Sequence, residues 1–289
     1  MVRVKEWFDD ERFWEVYAPI IFDDRRWAEV PQAADGVTRM ARLDLYGDAA
    51  ADFAGDTVKD PAENSGGNRR KVFRGKDPLP GPPRLLDLCC GFGRLTLEFA
   101  ARGFTCTGLD ITKSYLDAGR DDAAAGGLDI EWVRADVRDF IRPRSFDVAV
   151  SLYISFGYFS DPLDDRLVLA NAYESLRAGG CLIIETLGKE IAVRDFVHAE
   201  WFRRAGYLVL TEYRPVDSWA ALQNRWILVG EQDPSQRAEK VFTQRLYAAS
   251  ELRALLLDAG FAQVEIYGGW DESPYDDRAE KLILVGRKG

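Results

Sequence analysis

The sequence predicts an α/β fold whose mostly parallel sheet carries helices on both faces, and three observations predict it. Apolar strands and amphipathic helices alternate from Arg84 to Glu185. A glycine turn, Gly91-Phe92-Gly93, joins the first of these strands to the first helix. Carboxylates, among them Asp87, Asp110, Asp136 and Glu185, stand at or near strand carboxyl ends, where open parallel sheets bind ligands.

Each element follows from its own residues. Leu85, Leu86 and Leu88 make a short apolar strand, and Leu95, Leu97, Phe99 and Ala100 give the next segment a buried helical face. The same reading predicts strands at 104–109, 130–134, 146–151 and 181–185, with helices at 94–102, 113–125 and 163–177. Upstream, Phe13, Trp14, Tyr17, Ile20 and Ile21 recur at near-helical intervals broken by Pro19, which predicts one or two short aromatic helices. Residues 47–83 are poor in large aliphatics and rich in Gly, Pro, Asp and Asn, the composition of a loop or insertion. After Glu185, three strands at 207–213, 224–230 and 240–247 follow with no helix between them, as an antiparallel meander requires. A helix at 249–259 and strands at 262–267 and 281–285 then return to the main sheet.

A GxG turn by itself leaves NAD, FAD and S-adenosylmethionine open. In the dinucleotide fingerprint, the turn amides face a pyrophosphate and a third small residue lets helix and strand pack closely. Here the third position is Thr96, and Asp87 precedes the turn. Asp87 would repel a pyrophosphate and suits a sulfonium or ammonium group. Asp110 closes the second strand at a distance suited to a ribose diol.

With Asp87, Gly91 and Gly93 in this order, the stretch resembles motif I of the class I S-adenosylmethionine-dependent methyltransferases, in their small-molecule branch. Four further segments resemble that family in order: Asp110, Ala135-Asp136-Val137, residues 146–153, and Leu176-Arg177-Ala178-Gly179-Gly180, where Ala178 replaces the usual proline. The resemblance implies a Rossmann-like core at 84–186 and 248–289 that binds S-adenosylmethionine. Its cofactor contacts would be Asp87 (toward the methionine amino group), Gly91, Gly93, Asp110, Ile111, Asp136, Val137 and Leu152. It also implies an N-terminal helical lid over 1–46, with Tyr17 facing the methionine moiety, and a β-rich insertion over 187–247 serving as substrate cover or dimer contact. The expected acceptor is an amine or hydroxyl of a small metabolite or natural product. Amide and nucleic-acid amino acceptors are disfavoured, because Ser151-Leu152-Tyr153-Ile154 stands where those branches carry Asn/Asp-Pro-Pro-Tyr/Phe.

Methyl transfer needs alignment and, for a protonated acceptor, a base. The one histidine, His198, is the default base because imidazole titrates near neutrality. Tyr153 and Tyr158 follow the fourth strand, where their hydroxyls could orient a nucleophile and their rings, with Phe156 and Phe159, could surround a cation. Glu185 could accept from an amine. Asp161, Asp164 and Asp165 sit at a helix start, where Asp is ordinary, and no metal site is read there.

The 289-residue chain carries a net charge of -10, which disfavours nucleic acid as a partner, and the basic run Arg69-Arg70-Lys71 reads as a solvated loop. Neither a signal peptide nor a membrane-spanning run is read, so the expectation is a cytoplasmic protein, free of membrane partners and a possible homodimer. Four cysteines in or beside apolar strands are expected to be reduced and to act as small hydrophobes. Two other functions remain open on the sequence: a sensor or scaffold that binds S-adenosylmethionine without transferring methyl, and an NAD-dependent oxidoreductase.

Overall fold

The computed structural model describes residues 5–43 and 81–289; the composition-biased stretch up to residue 80 and its basic run lie outside them. Helices α1 (Glu11–Ile21), α2 (Asp24–Ala28) and α3 (Val30–Ala41) come first. Then β1 (Arg84–Leu88), α4 (Arg94–Ala101), β2 (Thr105–Asp110), α5 (Lys113–Ala125), β3 (Ile130–Arg134), β4 (Phe146–Ser151), α6 (Pro162–Ser175) and β5 (Leu176–Thr186) follow. Helix α7 (Lys189–Arg194) leads to β6 (Ala199–Arg204), β7 (Tyr207–Val216), β8 (Ala221–Gly230) and β9 (Arg237–Arg245). Helix α8 (Ala249–Asp258), β10 (Gln263–Tyr267) and β11 (Leu282–Arg287) close the chain.

The main sheet has the order β10-β11-β5-β4-β1-β2-β3, parallel except for β11, which runs antiparallel to both β10 and β5. Its central strands are covered on both faces, which is why they read as continuous apolar runs; all six residues of β4 are buried. Alternation along β1 shows the two layers. Leu85 packs with Val37 and Met40 of α3 and Phe99 of α4. Its neighbour Leu86 packs with Leu169 of α6 and with Leu252 and Leu256 of α8. The Rossmann-like α/β fold expected from the sequence is the fold observed.

Strands β6-β7-β8-β9 form a separate antiparallel sheet with four strands rather than the three expected. The extra strand, AEWFRR, alternates poorly: Trp201 is 68% exposed, and Phe202 alone of its residues packs into an apolar cluster. Helix α3 is a second departure. It belongs to the main core rather than lying over the pocket, its buried face is built from Ala33, Ala34 and Val37, and Pro31 sits in its first turn, where proline is tolerated. Helix α1 also continues past Pro19 to Ile21. The meander is tied to the core by wholly buried Asp165, which pairs with Arg245 and accepts from Tyr247 Oη at 2.7 Å.

Candidate active site

The glycine turn sits at the carboxyl end of β1, with Gly91 at φ 57° and Gly93 at φ 74°, the left-handed region that glycine enters without penalty. The two glycines do different work. A Cβ on Gly93 would stand 2.1 Å from the Trp132 ring, so this position is closed by packing, whereas Gly91 faces the cavity under the Phe22 ring. Thr96 supplies a hydroxyl: its Oγ1 donates to Asp87 at 2.6 Å. Burial raises the Asp87 carboxyl to about 7, against the pull of that hydrogen bond. Asp110 accepts from the Gly91 amide at one oxygen and the Thr112 amide at the other, both at 2.8 Å. Burial raises its pKa, and these amide bonds oppose the rise. Each oxygen keeps a second lone pair, so Asp110 can brace the turn and still accept from a diol.

A cavity of about 550 Å³ opens over the turn, within the usual size of a small-molecule site. Asp87, Gly91, Asp110, Ile111, Asp136, Val137, Leu152, Tyr153 and Tyr158 all line it. Three expected site residues do not. Gly93 is turned to Trp132. Tyr17 is buried in an apolar cluster and donates its hydroxyl to the Trp226 carbonyl at 3.0 Å, so it holds α1 to β8 instead of facing a ligand. His198 is exposed, its ring edge-on to Phe196 with centroids 4.9 Å apart; Asp195, Phe196, Val197 and Glu200 around it reach the cavity, but His198 does not line it. The imidazole thus stands behind the cavity wall, against the Phe196 ring.

The far wall comes from one face of the antiparallel sheet. Leu222, Asn224 and Trp226 alternate along β8, and Phe242 and Gln244 do so along β9. Trp7 stacks on Phe242 at 4.6 Å and meets Tyr158 edge-on at 5.0 Å, which joins the N-terminal segment to this wall. Tyr153 and Ile154, after β4, both have positive φ (56° and 65°), and the Tyr153 amide donates to Glu185. Glu185 is thereby occupied with bracing that turn, alongside Lys281 at 3.5 Å, and is not on the cavity wall. Burial pushes the Tyr153 phenol up to about 12 and raises that of Tyr158 as well, so both stay protonated at neutral pH.

The remaining acids have partners. Asp136 accepts from the Arg138 guanidinium at 2.6 Å, and Asp164 does so at 2.7 Å. The Asp161 side chain caps α6 by accepting from the Leu163 amide. Arg94, the residue after the glycine turn, escaped the sequence reading. It is buried, lines the cavity, lies with its guanidinium 3.7 Å from the Tyr153 ring centroid, and has a buried Nη1 without a hydrogen-bond partner. The four cysteines are free, and burial raises their thiol pKa values, leaving Cys89 and Cys90 uncharged beside the cavity. Among the described residues, no group of three or more His, Cys, Asp or Glu could hold a metal, and no helix is long and apolar enough to cross a membrane.

A methyltransferase-domain family model matches residues 85–180. The chain is 22% identical over 211 residues to a protein of Geobacillus sp. (strain WCH70) that carries a methyltransferase name, covering 72% of this chain and 85% of the relative. It is 25% identical over 216 residues to the glycine/sarcosine N-methyltransferase of Aphanothece halophytica, covering 72% of this chain and 77% of the relative. Among solved structures, an S-adenosylmethionine-dependent methyltransferase from Clostridium acetobutylicum ATCC 824 shares the fold with a TM-score of 0.66 at 15% identity, over 96% of this chain and 98% of the other.

Proposed function

We propose that this S-adenosylmethionine-dependent methyltransferase acts on an amine nitrogen of a small molecule. The observation that carries this reading is the aromatic acceptor wall, in which Trp7, Tyr158, Trp226 and Phe242 surround the cavity and the phenols remain protonated. Such a wall disfavours an anionic nucleophile and desolvates an ammonium, so an amine entering it tends to lose its proton and expose its lone pair. Once the nitrogen has gained a methyl and become positive, ring faces stabilise the charge. A hydroxyl acceptor would instead have to become an alkoxide beside those rings. The similarity to an N-methyltransferase of a small amino acid supports the same class.

The residues fit the cofactor. Asp87, next to the turn, suits its ammonium, and Asp110 suits its ribose diol. Bound S-adenosylmethionine supplies an electrophilic methyl whose carbon–sulfur electron pair returns to sulfur as the acceptor lone pair takes the carbon. The protein's part is alignment and exclusion of water. Tyr153 and Tyr158 can donate to polar atoms of the acceptor and fix its approach, and positioning of this kind can lower a barrier by roughly 7–11 kcal/mol. The test is to incubate the protein with S-adenosylmethionine and a panel of small primary and secondary amines, matched alcohols and phenols, and to follow S-adenosylhomocysteine and methylated product by mass spectrometry. Turnover confined to amines is the expected result. Turnover confined to hydroxyl compounds would overturn the amine assignment, and cofactor binding without turnover on any acceptor would favour the sensor.

A further inference from the structure

We propose that Gln244, with Asn224 beside it, determines acceptor specificity by selecting an amine that also carries a neutral hydroxyl; this rests on the amine reading above. Gln244 is 5% exposed, lines the cavity from β9, and has a buried Nε2 without a hydrogen-bond partner. Asn224, also buried, lines the cavity from β8 and donates its Nδ2 to the Leu222 carbonyl at 3.0 Å, which leaves its Oδ1 as an acceptor. In the β8–β9 register Asn224 stands opposite Phe242 and Gln244 opposite Leu222. The two amides are therefore diagonal neighbours on the cavity face, an arrangement in which side chains of paired strands reach one another.

A buried donor left without an acceptor is costly, and a ligand that supplies the missing oxygen removes the cost. Among the described residues, the buried polar side-chain atoms of the cavity wall that lack partners all carry a proton to donate: Gln244, the indoles of Trp7 and Trp226, the Tyr153 hydroxyl and Arg94. The wall therefore calls for an oxygen, and the surroundings choose its kind. A carboxylate would lose its water among rings and face the Asn224 Oδ1. The cations that line the cavity outside the glycine turn are already paired, Arg204 with Asp23 at 3.1 Å and Arg26 with Glu29 at 3.4 Å. A carbonyl would satisfy Gln244 and give nothing to Asn224. A hydroxyl accepts from one amide and donates to the other. The rings then take up the cationic character of the amine while the amide pair reads its substituent, and an amine without the hydroxyl leaves the buried donor unpaired.

Calorimetric titration of the full chain, saturated with S-adenosylhomocysteine, tests this with cyclohexylamine, 2- and 4-aminocyclohexanol, and 2-aminocyclohexanecarboxylate, rings of one size that differ in the substituent. Wild type is expected to bind at least one aminocyclohexanol roughly 10-fold or more tightly than cyclohexylamine, and the carboxylate no better than cyclohexylamine. Gln244→Met, which keeps the length of the side chain and loses the amide, should bring the hydroxyl preference close to one, and Gln244→Asn should retain part of it. Unchanged S-adenosylhomocysteine affinity reports that each variant is folded. Equal wild-type affinities, a preference for the carboxylate, binding of none of these amines, or an undiminished preference in Gln244→Met would overturn the proposal. Mass spectrometry of the same mixtures with S-adenosylmethionine in place of its product tests the underlying reading separately. Methyl found on the hydroxyl oxygen and not on nitrogen would overturn the amine assignment, whereas loss of the hydroxyl preference in Gln244→Met would still uphold the amide pair.

Discussion

The two ends of the cavity are built on opposite principles. At the glycine turn, Asp87, Arg94 and Asp110 are charged residues buried or half-buried at the edge of the parallel sheet, held by the Thr96 hydroxyl, the Tyr153 ring and the Gly91 and Thr112 amides respectively. At the other end the antiparallel sheet and the N-terminal segment contribute rings, with Phe242 touching Trp7, Tyr158 and Trp226, and Trp7 meeting Tyr158. Fixed charges in a dry site recognise one invariant partner by geometry. Ring faces take up shape and cationic character without demanding a single hydrogen-bond pattern, which suits the part of a reaction that differs between substrates. The difference predicts that damage at the turn is read as lost folding or lost cofactor affinity, whereas damage at the far wall is read in the acceptor.

The hardest way to break the turn is Gly93→Ala. The new Cβ would meet Trp132 at 2.1 Å on a backbone already at φ 74°, and overpacking combined with left-handed strain should cost about 3 kcal/mol or more. Thermal unfolding would show it as a large drop in Tm; a drop of only a degree or two would mean that Trp132 moves aside freely. Next comes Asp110→Ala, which removes the acceptor for two backbone amides as well as for the ribose. S-adenosylhomocysteine affinity should fall by more than tenfold, in keeping with ~1.5–3 kcal/mol for a hydrogen bond to a charged group. A change within a factor of two would remove Asp110 from the cofactor site.

A gentler probe is pH. Because burial raises the Asp87 carboxyl to about 7, the free protein holds that proton in a range where the unfolded chain has lost it. The folded state then binds more protons than the unfolded state, so this group's contribution to stability declines as pH rises from the ordinary carboxylate range to about 7. Cofactor binding carries the opposite sign. Its ammonium favours ionised Asp87, so affinity should rise with pH and level off above about 7, and Asp87→Asn should flatten the profile. An unchanged profile in Asp87→Asn would place the titrating group elsewhere. The smallest effect is expected from His198→Ala, which leaves the cavity wall intact and should keep turnover within a factor of two. A tenfold loss would show that the imidazole reaches the acceptor after all.

How much of this was legible depended on how local the signal was. Asp87, Gly91 and Asp110 are set by a strand, a turn and the next strand, all adjacent in sequence, and they arrive at one cavity. The acceptor wall comes from Trp7, Tyr158, Trp226 and Phe242, spread over more than two hundred residues, and no sequence pattern links them. Arg94 looked like an ordinary polar position at a helix start. A charged residue within an amphipathic pattern is read as solvent-facing, and only the rings of Phe22 and Tyr153 closing over it show otherwise. Helix α3 holds two residues that are unfavourable in helix interiors, Pro31 and Gly36, but one occupies the first turn and the other gives room to Trp270, which a Cβ would meet at 2.7 Å.

By itself the sequence determined the alternating core, the placement of carboxylates at strand ends and the resemblance that pointed to the cofactor. Those properties rest on periodicity and on spacing within one βαβ unit, where a few residues fix direction. Tertiary structure alone decided that His198 and Tyr17 stand away from the cavity, that Gly93 serves Trp132, that β6 completes the second sheet and that Arg94 is buried. Each of these depends on which distant surface a side chain meets, and burial, unlike periodicity, is a property of the whole packed molecule.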